Sequence, residues 1–201
     1  MVAVAQRSLP QVEPEERLLL HGISWDQYSA LLRTLGDQAG LRLTYLDGEL
    51  ELMSPSFDHE LVKTLIARLL EAYADEVGLE LEGAGSTTFR KKLVRRGIEP
   101  DECYMLGVRR GIPDLAIEVV YSAPKIDKLE VYRGLGVGEV WIFKRNQIHV
   151  HVLGPKGYVS RKKSALLPDL DLELFHTFLR PEAGQTAMVR AFRAALRERA
   201  R

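Results

Sequence analysis

Gly111-Ile112-Pro113-Asp114-Leu115-Ala116-Ile117-Glu118-Val119-Val120-Tyr121 is the stretch on which the fold turns. From Leu115 to Tyr121 every residue but Glu118 is apolar, and a Gly and a Pro stand just before the run. The pattern predicts a strand covered on both faces. Side chains alternate across a strand, so Asp114, Ala116, Glu118 and Val120 share one face. Leu115, Ile117, Val119 and Tyr121 share the other. Glu118 is then an ionisable group in a nearly buried strand. A lone buried carboxylate is costly, so it must find a partner, lose its charge or hold a cation.

Upstream, Glu99-Pro100-Asp101-Glu102-Cys103-Tyr104-Met105-Leu106 predicts another strand. A short turn through Gly107-Val108-Arg109-Arg110-Gly111 joins it to the first, which makes the two antiparallel neighbours. Downstream, a helix over about 125–135 closes at Gly136 and leads to a strand over 139–143. Asn146-Gln147 turns that strand into 148–152, and Gly154-Pro155-Lys156-Gly157 turns the chain again into 158–160.

Before the strand pair lies a long helix, about 59–77, with Asp58 as its N-cap and Gly78 as its stop. Leu61, Val62, Leu65, Ile66, Leu69, Leu70, Tyr73 and Val77 form its apolar stripe. His59 projects at the edge of that stripe and Glu60 away from it. Further back, Asp47-Gly48 predicts a hairpin between 41–46 and 49–53. Ser24 and Gln27 form a capping box for a helix reaching Leu35. Short strands are expected at 18–20, 79–81 and 86–89, and helices at 171–180 and 182–198. The class is α+β, with one mixed sheet carrying helices. Residues 1–16 are expected as a mobile arm, 17–180 as a single domain, and 181–201 as an amphipathic, arginine-rich helix.

Composition narrows the classes. The 201 residues suit one domain with a sizeable core, at 46% hydrophobic and 28% charged. With 28 basic against 28 acidic residues, net charge gives no argument for a nucleic-acid partner, so any such argument must be local. The single cysteine, Cys103, cannot form an internal disulfide and reads as core. No apolar run approaches a membrane span and no signal peptide is legible, so no membrane and a cytoplasmic location are the expectations. There is no Walker loop, dinucleotide-binding glycine pattern or zinc-type cysteine spacing.

The candidate chemistry lies at Asp101 and Glu118. One begins a strand and the other sits inside its antiparallel neighbour, so both carboxylates can reach one point. Converging carboxylates repel, and a divalent cation relieves this. Mg²⁺ takes one or two carboxylates together with waters and phosphate, and can activate water against a phosphodiester. Lys128, on the following helix, is placed to stabilise the charge that develops.

These residues resemble the PD-(D/E)XK nuclease pattern, through Pro100-Asp101 and Glu118-Val119-Val120. The order helix, strand, strand, strand, helix, strand resembles its restriction-endonuclease-like core. Residues 43–56 with His59-Glu60, then 97–104, then 113–119, then 127–141 together resemble the Uma-type restriction endonuclease family. The resemblance covers roughly 17–180. It implies a Mg²⁺- or Mn²⁺-dependent endonuclease acting on DNA, with Asp101 and Glu118 as metal ligands. The superfamily's lysine would stand at Val120, which carries no charge. Lys128 fits the substitute position on the next helix, and Lys125 is its reserve. The acidic position of the superfamily's first helix falls near Glu60 by type and His59 by projection and family motif. His59 is the expected catalytic member, orienting a water or the substrate.

Each residue also has a plain reading. Asp101 can accept backbone N–H groups, and Glu118 can form a structural ion pair. Asp114 stands about 13 Å along the strand from Glu118 and is structural. His149 and His151 share an exposed strand face. Arg90, Lys91, Lys92, Arg95 and Arg96 are the candidate nucleic-acid contacts, against a solvated loop. Phe192 and Leu196 of the last helix are docked, or meet a second copy in a homodimer. The rival functions are a catalytically inactive nucleic-acid-binding module on the same fold and a protein-interaction subunit.

Overall fold

The computed structural model describes residues 15–35, 40–107 and 111–199. The chain is mixed α and β, as expected, but its strands form two sheets and not one. The first sheet is antiparallel, in the order β1 (Glu16–Leu20), β3 (Glu49–Ser54), β2 (Arg42–Leu46), β6 (Arg96–Ile98), β5 (Phe89–Lys91). The second runs β11 (Gly157–Arg161), β10 (Gln147–Gly154), β9 (Glu139–Lys144), β8 (Leu115–Val119), β7 (Glu102–Leu106), β4 (Leu81–Gly83). Its only parallel pair among the described residues is β8–β9. The helix α3 (Lys128–Leu135) makes that crossover.

The split falls at Glu99-Pro100-Asp101. Ile98 still pairs with Thr44 in the first sheet, whereas Glu102 pairs with Ile117 in the second. Pro100 has no N–H to donate and ends the first ladder. Asp101 therefore stands where the chain passes between the sheets. The sequence pattern shows that strands exist but not that Pro100 separates them into two ladders.

β7 and β8 are antiparallel neighbours, as their short connection predicts. All of Leu115–Val119 is buried. Leu115, Ile117 and Val119 pack with Leu65, Ile66 and Leu69 of α2 (Phe57–Val77) and with Phe175 and Phe192. Ala116, on the other face, packs with Val131, Tyr132 and Leu135 of α3. The alternation read from the sequence is the alternation of the two cores.

α2 begins two residues earlier than expected. Ser56, not Asp58, is its N-cap, accepting the His59 N–H at 3.2 Å. His59 thus enters the first turn with its ring fully buried. Gly78, at φ 68°, ends the helix in the left-handed conformation and returns its N–H to Ala74. A separate cluster joins α1 (Trp25–Leu35) to the first sheet, where Tyr28 stacks on Tyr45 at 4.7 Å between ring centroids.

The expected arm at 1–16 falls mostly outside the described residues. Its last two positions do not behave as an arm: Glu15 is buried and Glu16 opens β1. Strand pairing with β3 holds Glu16, and side-chain contacts with His59, Arg17 and Ser122 hold Glu15. The C-terminal helix α4 (Gln185–Arg199) docks on α2 of its own chain. Phe192 reaches Phe175 and Phe178 at ring-centroid distances of 5.6 and 5.5 Å. Arg193 pairs with Asp75 and Glu76, and Arg197 with Glu76. Among the described residues, no helix is long and apolar enough to cross a membrane.

Candidate active site

The four candidates His59, Asp101, Glu118 and Lys128 meet where β8, the start of β7, α3 and the first turn of α2 converge. All four are buried, at 0, 0, 0 and 6% exposure. The Glu118 carboxylate is held from α3. Lys128 Nζ donates to Oε2 at 2.5 Å, and the Tyr132 hydroxyl donates to Oε1. Asp127 caps α3 through the Glu130 N–H, and this start puts Lys128 and Tyr132 one turn apart on the face toward Glu118. Asp101 Oδ2 accepts the Val119 backbone N–H at 2.7 Å. That bond ties the carboxylate at the sheet crossing to the residue after Glu118.

Asp101 Oδ1 lies 2.9 Å from His59 Nε2. The two atoms form a buried charged pair. On its other side, His59 Nδ1 is 2.6 Å from Glu15 Oε1. Glu15 Oε2 accepts from Ser122 N and Oγ and from Arg17 Nη2. Arg17 also donates to Ser122 Oγ at 2.8 Å and to Glu51 Oε1 at 2.5 Å. Glu51 in turn accepts the backbone N–H of Lys125. A chain of alternating charge thus runs from β3 through β1 and α2 to Asp101, and Lys128 answers Glu118 beside it.

Burial opposes the charged form of all three groups, and their neighbours decide where it prevails. Burial, and then repulsion by Asp101, push the Glu118 carboxyl above the usual carboxylate range against the pull of Lys128. Burial opposes the charge on Lys128, but Glu118 and Asp101 outweigh it and hold the ammonium above the ordinary lysine value. Burial likewise opposes ionisation of Asp101, yet His59, Lys128 and the Val119 N–H keep its carboxyl low.

A family model described as "Uma2: Putative restriction endonuclease" matches residues 25–180. The chain belongs to the Uma2 family. No curated protein matches it. The Uma2 match takes in His59, Asp101, Glu118 and Lys128 and leaves Glu15 and Arg17 outside. The sequence reading missed both of these residues, together with Glu51 and Tyr132. Tyr132 had a signal, since it stands four residues after Lys128 and so on the same helix face. Glu15 and Arg17 had a weaker one, opposite charges two apart on one strand face.

His59 is not open to a water or substrate from the helix side, because both its ring nitrogens face carboxylates. The basic segment of the Uma2 chain also divides. Arg96 turns inward, 13% exposed, to Asp47 and Glu130 at 2.6 and 3.2 Å. Arg90, Lys91, Lys92 and Arg95 remain exposed, with Lys92 3.6 Å from Asp26. Val120 is buried beside the site. Asp114 accepts the Leu106 N–H at 2.9 Å, a structural contact as expected. Cys103 lies in the core beneath α3.

The His59 cluster sets a stability window. Burial would lower the imidazole, but Asp101 and Glu15 raise it from an ordinary 6.5 to about 9. Burial would raise the Glu15 carboxyl, but His59, Ser122 and Arg17 hold it far below its ordinary 4.5. The His59 contribution is complete below pH 6.5 and is lost as pH rises through about 9. The Glu15 contribution is complete above pH 4.5 and is lost on acidification. Both act together from 4.5 to 6.5. Urea unfolding should lose up to about 3 kcal/mol between pH 6.5 and 9. His59→Gln should flatten that slope, and an equal slope in both proteins would remove the imidazolium from the account.

Proposed function

We propose that this chain is a nuclease that hydrolyses phosphodiester bonds, with DNA as the substrate and Mg²⁺ or Mn²⁺ held by Asp101 and Glu118. The observation that carries the reading is two carboxylates and a lysine ammonium buried together at one sheet crossing. The donor chemistry of the site fits a hard cation. Asp101 and Glu118 offer carboxylate oxygens alone, and Asp101 Oδ1, 2.9 Å from His59 Nε2, would share that contact with a cation or give it up. That suits Mg²⁺ or Mn²⁺, completed by water and phosphate, better than a zinc cage.

The bound cation would activate a water and draw charge from the phosphate oxygens. Lys128 supplies a fixed positive charge where negative charge develops, in place of the lysine that Val120 does not provide. Tyr132 fixes the orientation of Glu118. His59 acts through Asp101, keeping it ionised, and Glu15 holds the imidazolium in place. The second reading is a fold kept for nucleic-acid binding alone. It is favoured by one observation: Lys128 and Tyr132 already occupy both oxygens of Glu118.

Calorimetric titration of Mn²⁺ into wild type, Asp101→Ala and Glu118→Ala, each with and without a DNA duplex, separates the two. Heat in wild type alone, with metal-dependent cleavage lost in both variants, is the expected result. Salt-sensitive DNA binding with no metal heat under either condition would leave the binding module.

A further inference from the structure

The C-terminal ends of β8 and β9 leave a cleft on each side of Val120. One, of about 330 Å³, is lined by Glu118, Lys125 and Lys128 among others. The other, of about 510 Å³, is lined by Val120, Tyr121, Phe143, Lys144, Arg145 and Asn146. Both are in the range of sites that hold small ligands. The second cleft takes no part in the chemistry described above, yet it opens beside it.

Its walls are of two kinds. Tyr121 is 47% exposed beside the buried Phe143. Lys144 and Arg145 are exposed at the β9–β10 turn, where Arg145 and Asn146 both have positive φ, 51° and 62°. A tight turn of this form holds the cations at one edge of the cleft and not on a wandering loop. Val120 N–H donates to Phe143 O at 2.9 Å, which locks the Tyr121 side to the turn side. A second exposed ring, Phe57 at 76%, opens α2 two residues before His59. Asp58, next to it, is close enough to Tyr121 to add to the effect of burial in raising its phenol.

An intact duplex hides its base faces in its own stack and offers a protein phosphates and groove edges. There the Tyr121 hydroxyl can reach a phosphate, but the face of its ring finds no base to stack on. A single strand offers phosphates to the cations and a base face to the ring. We propose that a single-stranded segment of the nucleic acid lies across both clefts, with its phosphates on Lys125 at the first and on Lys144 and Arg145 at the second, and a base stacked on Tyr121. Its substrate class is then a single strand, or a duplex with an unpaired segment at the cleavage point. This deepens the nuclease reading and rests on it for the chemistry.

The test is fluorescence anisotropy without divalent cation, using a labelled single strand of about 15 nucleotides and its duplex. Wild type should prefer the single strand. Tyr121→Ala should weaken single-strand binding about 5- to 100-fold and duplex binding by less than about twofold, with Tyr121→Phe close to wild type. The Lys144→Ala/Arg145→Ala pair should lower the salt slope on the single strand by about 1.4. Duplex preference, or an equal loss on both ligands in Tyr121→Ala, would overturn the proposal. A parallel Mn²⁺ cleavage assay separates the two readings. Tyr121-dependent binding without cleavage keeps the cleft and removes the nuclease. Cleavage of single strand undiminished by Tyr121→Ala and by the double variant keeps the nuclease and removes the cleft.

Discussion

Lys128→Ala should remove about 3–5 kcal/mol of stability at pH 8 and, on the proposed nuclease reading, slow hydrolysis about 100- to 1000-fold. The ammonium is 6% exposed and 2.5 Å from Glu118 Oε2, so its loss leaves two buried carboxylates with less to offset them. Glu118, already raised by burial and by Asp101, would respond by keeping its proton to higher pH. A neutral Glu118 needs no cation. The stability deficit should therefore shrink on acidification and grow as pH rises through the raised value. Urea midpoints of wild type and variant at pH 5 and pH 8 measure this directly. If the carboxylates also hold a divalent ion, Mn²⁺ should raise the melting temperature of Lys128→Ala more than that of wild type. A variant as stable as wild type at pH 8 would show that the pair contributes nothing to the fold.

The second large effect lies away from the site. Glu139 is fully buried at the start of β9, and its carboxylate gathers four donors. Trp141 Nε1 and Ser164 Oγ reach Oε1 at 2.6 Å, and the backbone N–H groups of Ala165 and Leu166 reach Oε2 at 2.8 and 3.2 Å. Ser164 Oγ also accepts the Leu167 N–H. This carboxylate pins the segment that delivers Leu167 and Leu170 to the main core. Glu139→Ala strands buried donors on both sides and should cost about 3–5 kcal/mol, on the order of 10 °C in melting temperature. Glu139→Gln keeps one acceptor oxygen and should lose roughly half as much. A thermal melt of Glu139→Ala within a degree or two of wild type would mean that water replaces the carboxylate at this point.

What could be read from the sequence was whatever local pattern specifies. Glu118 stood out because a period of two placed a charge between apolar neighbours, and both faces of β8 are buried as that pattern requires. The α2 helix was legible from its stripe, but its start was not. Ser56 and Asp58 are both good caps, and only the His59 N–H shows that Ser56 serves. The division into two sheets was hidden because a strand pattern does not name its pairing partner. Glu15 was hidden for the same reason. It looks like one acid of a polar arm until β1 pairs with β3 and carries it to His59. Glu139 opens a predicted strand, but three of its four partners, Ser164, Ala165 and Leu166, lie 25 to 27 residues further on. Long-range hydrogen bonds leave no periodic trace in sequence.

The Asp101 crossing has a consequence for the order of events during folding. The buried cluster draws Glu15, His59, Asp101, Glu118 and Lys128 from five separate stretches of the chain, and it is complete only when β1 has paired with β3, α3 has crossed from β8 to β9, and the two sheets have met at Pro100. Contacts so distant along the chain close after local helices and hairpins have formed. On the proposed reading, competence would then be among the last properties the molecule acquires. A chain caught half-folded has its scattered acids and bases in water, where they are ordinary charges with ordinary affinities. For a protein whose chemistry would be hazardous in the wrong place, a site that exists only in the finished fold serves as its own safety catch.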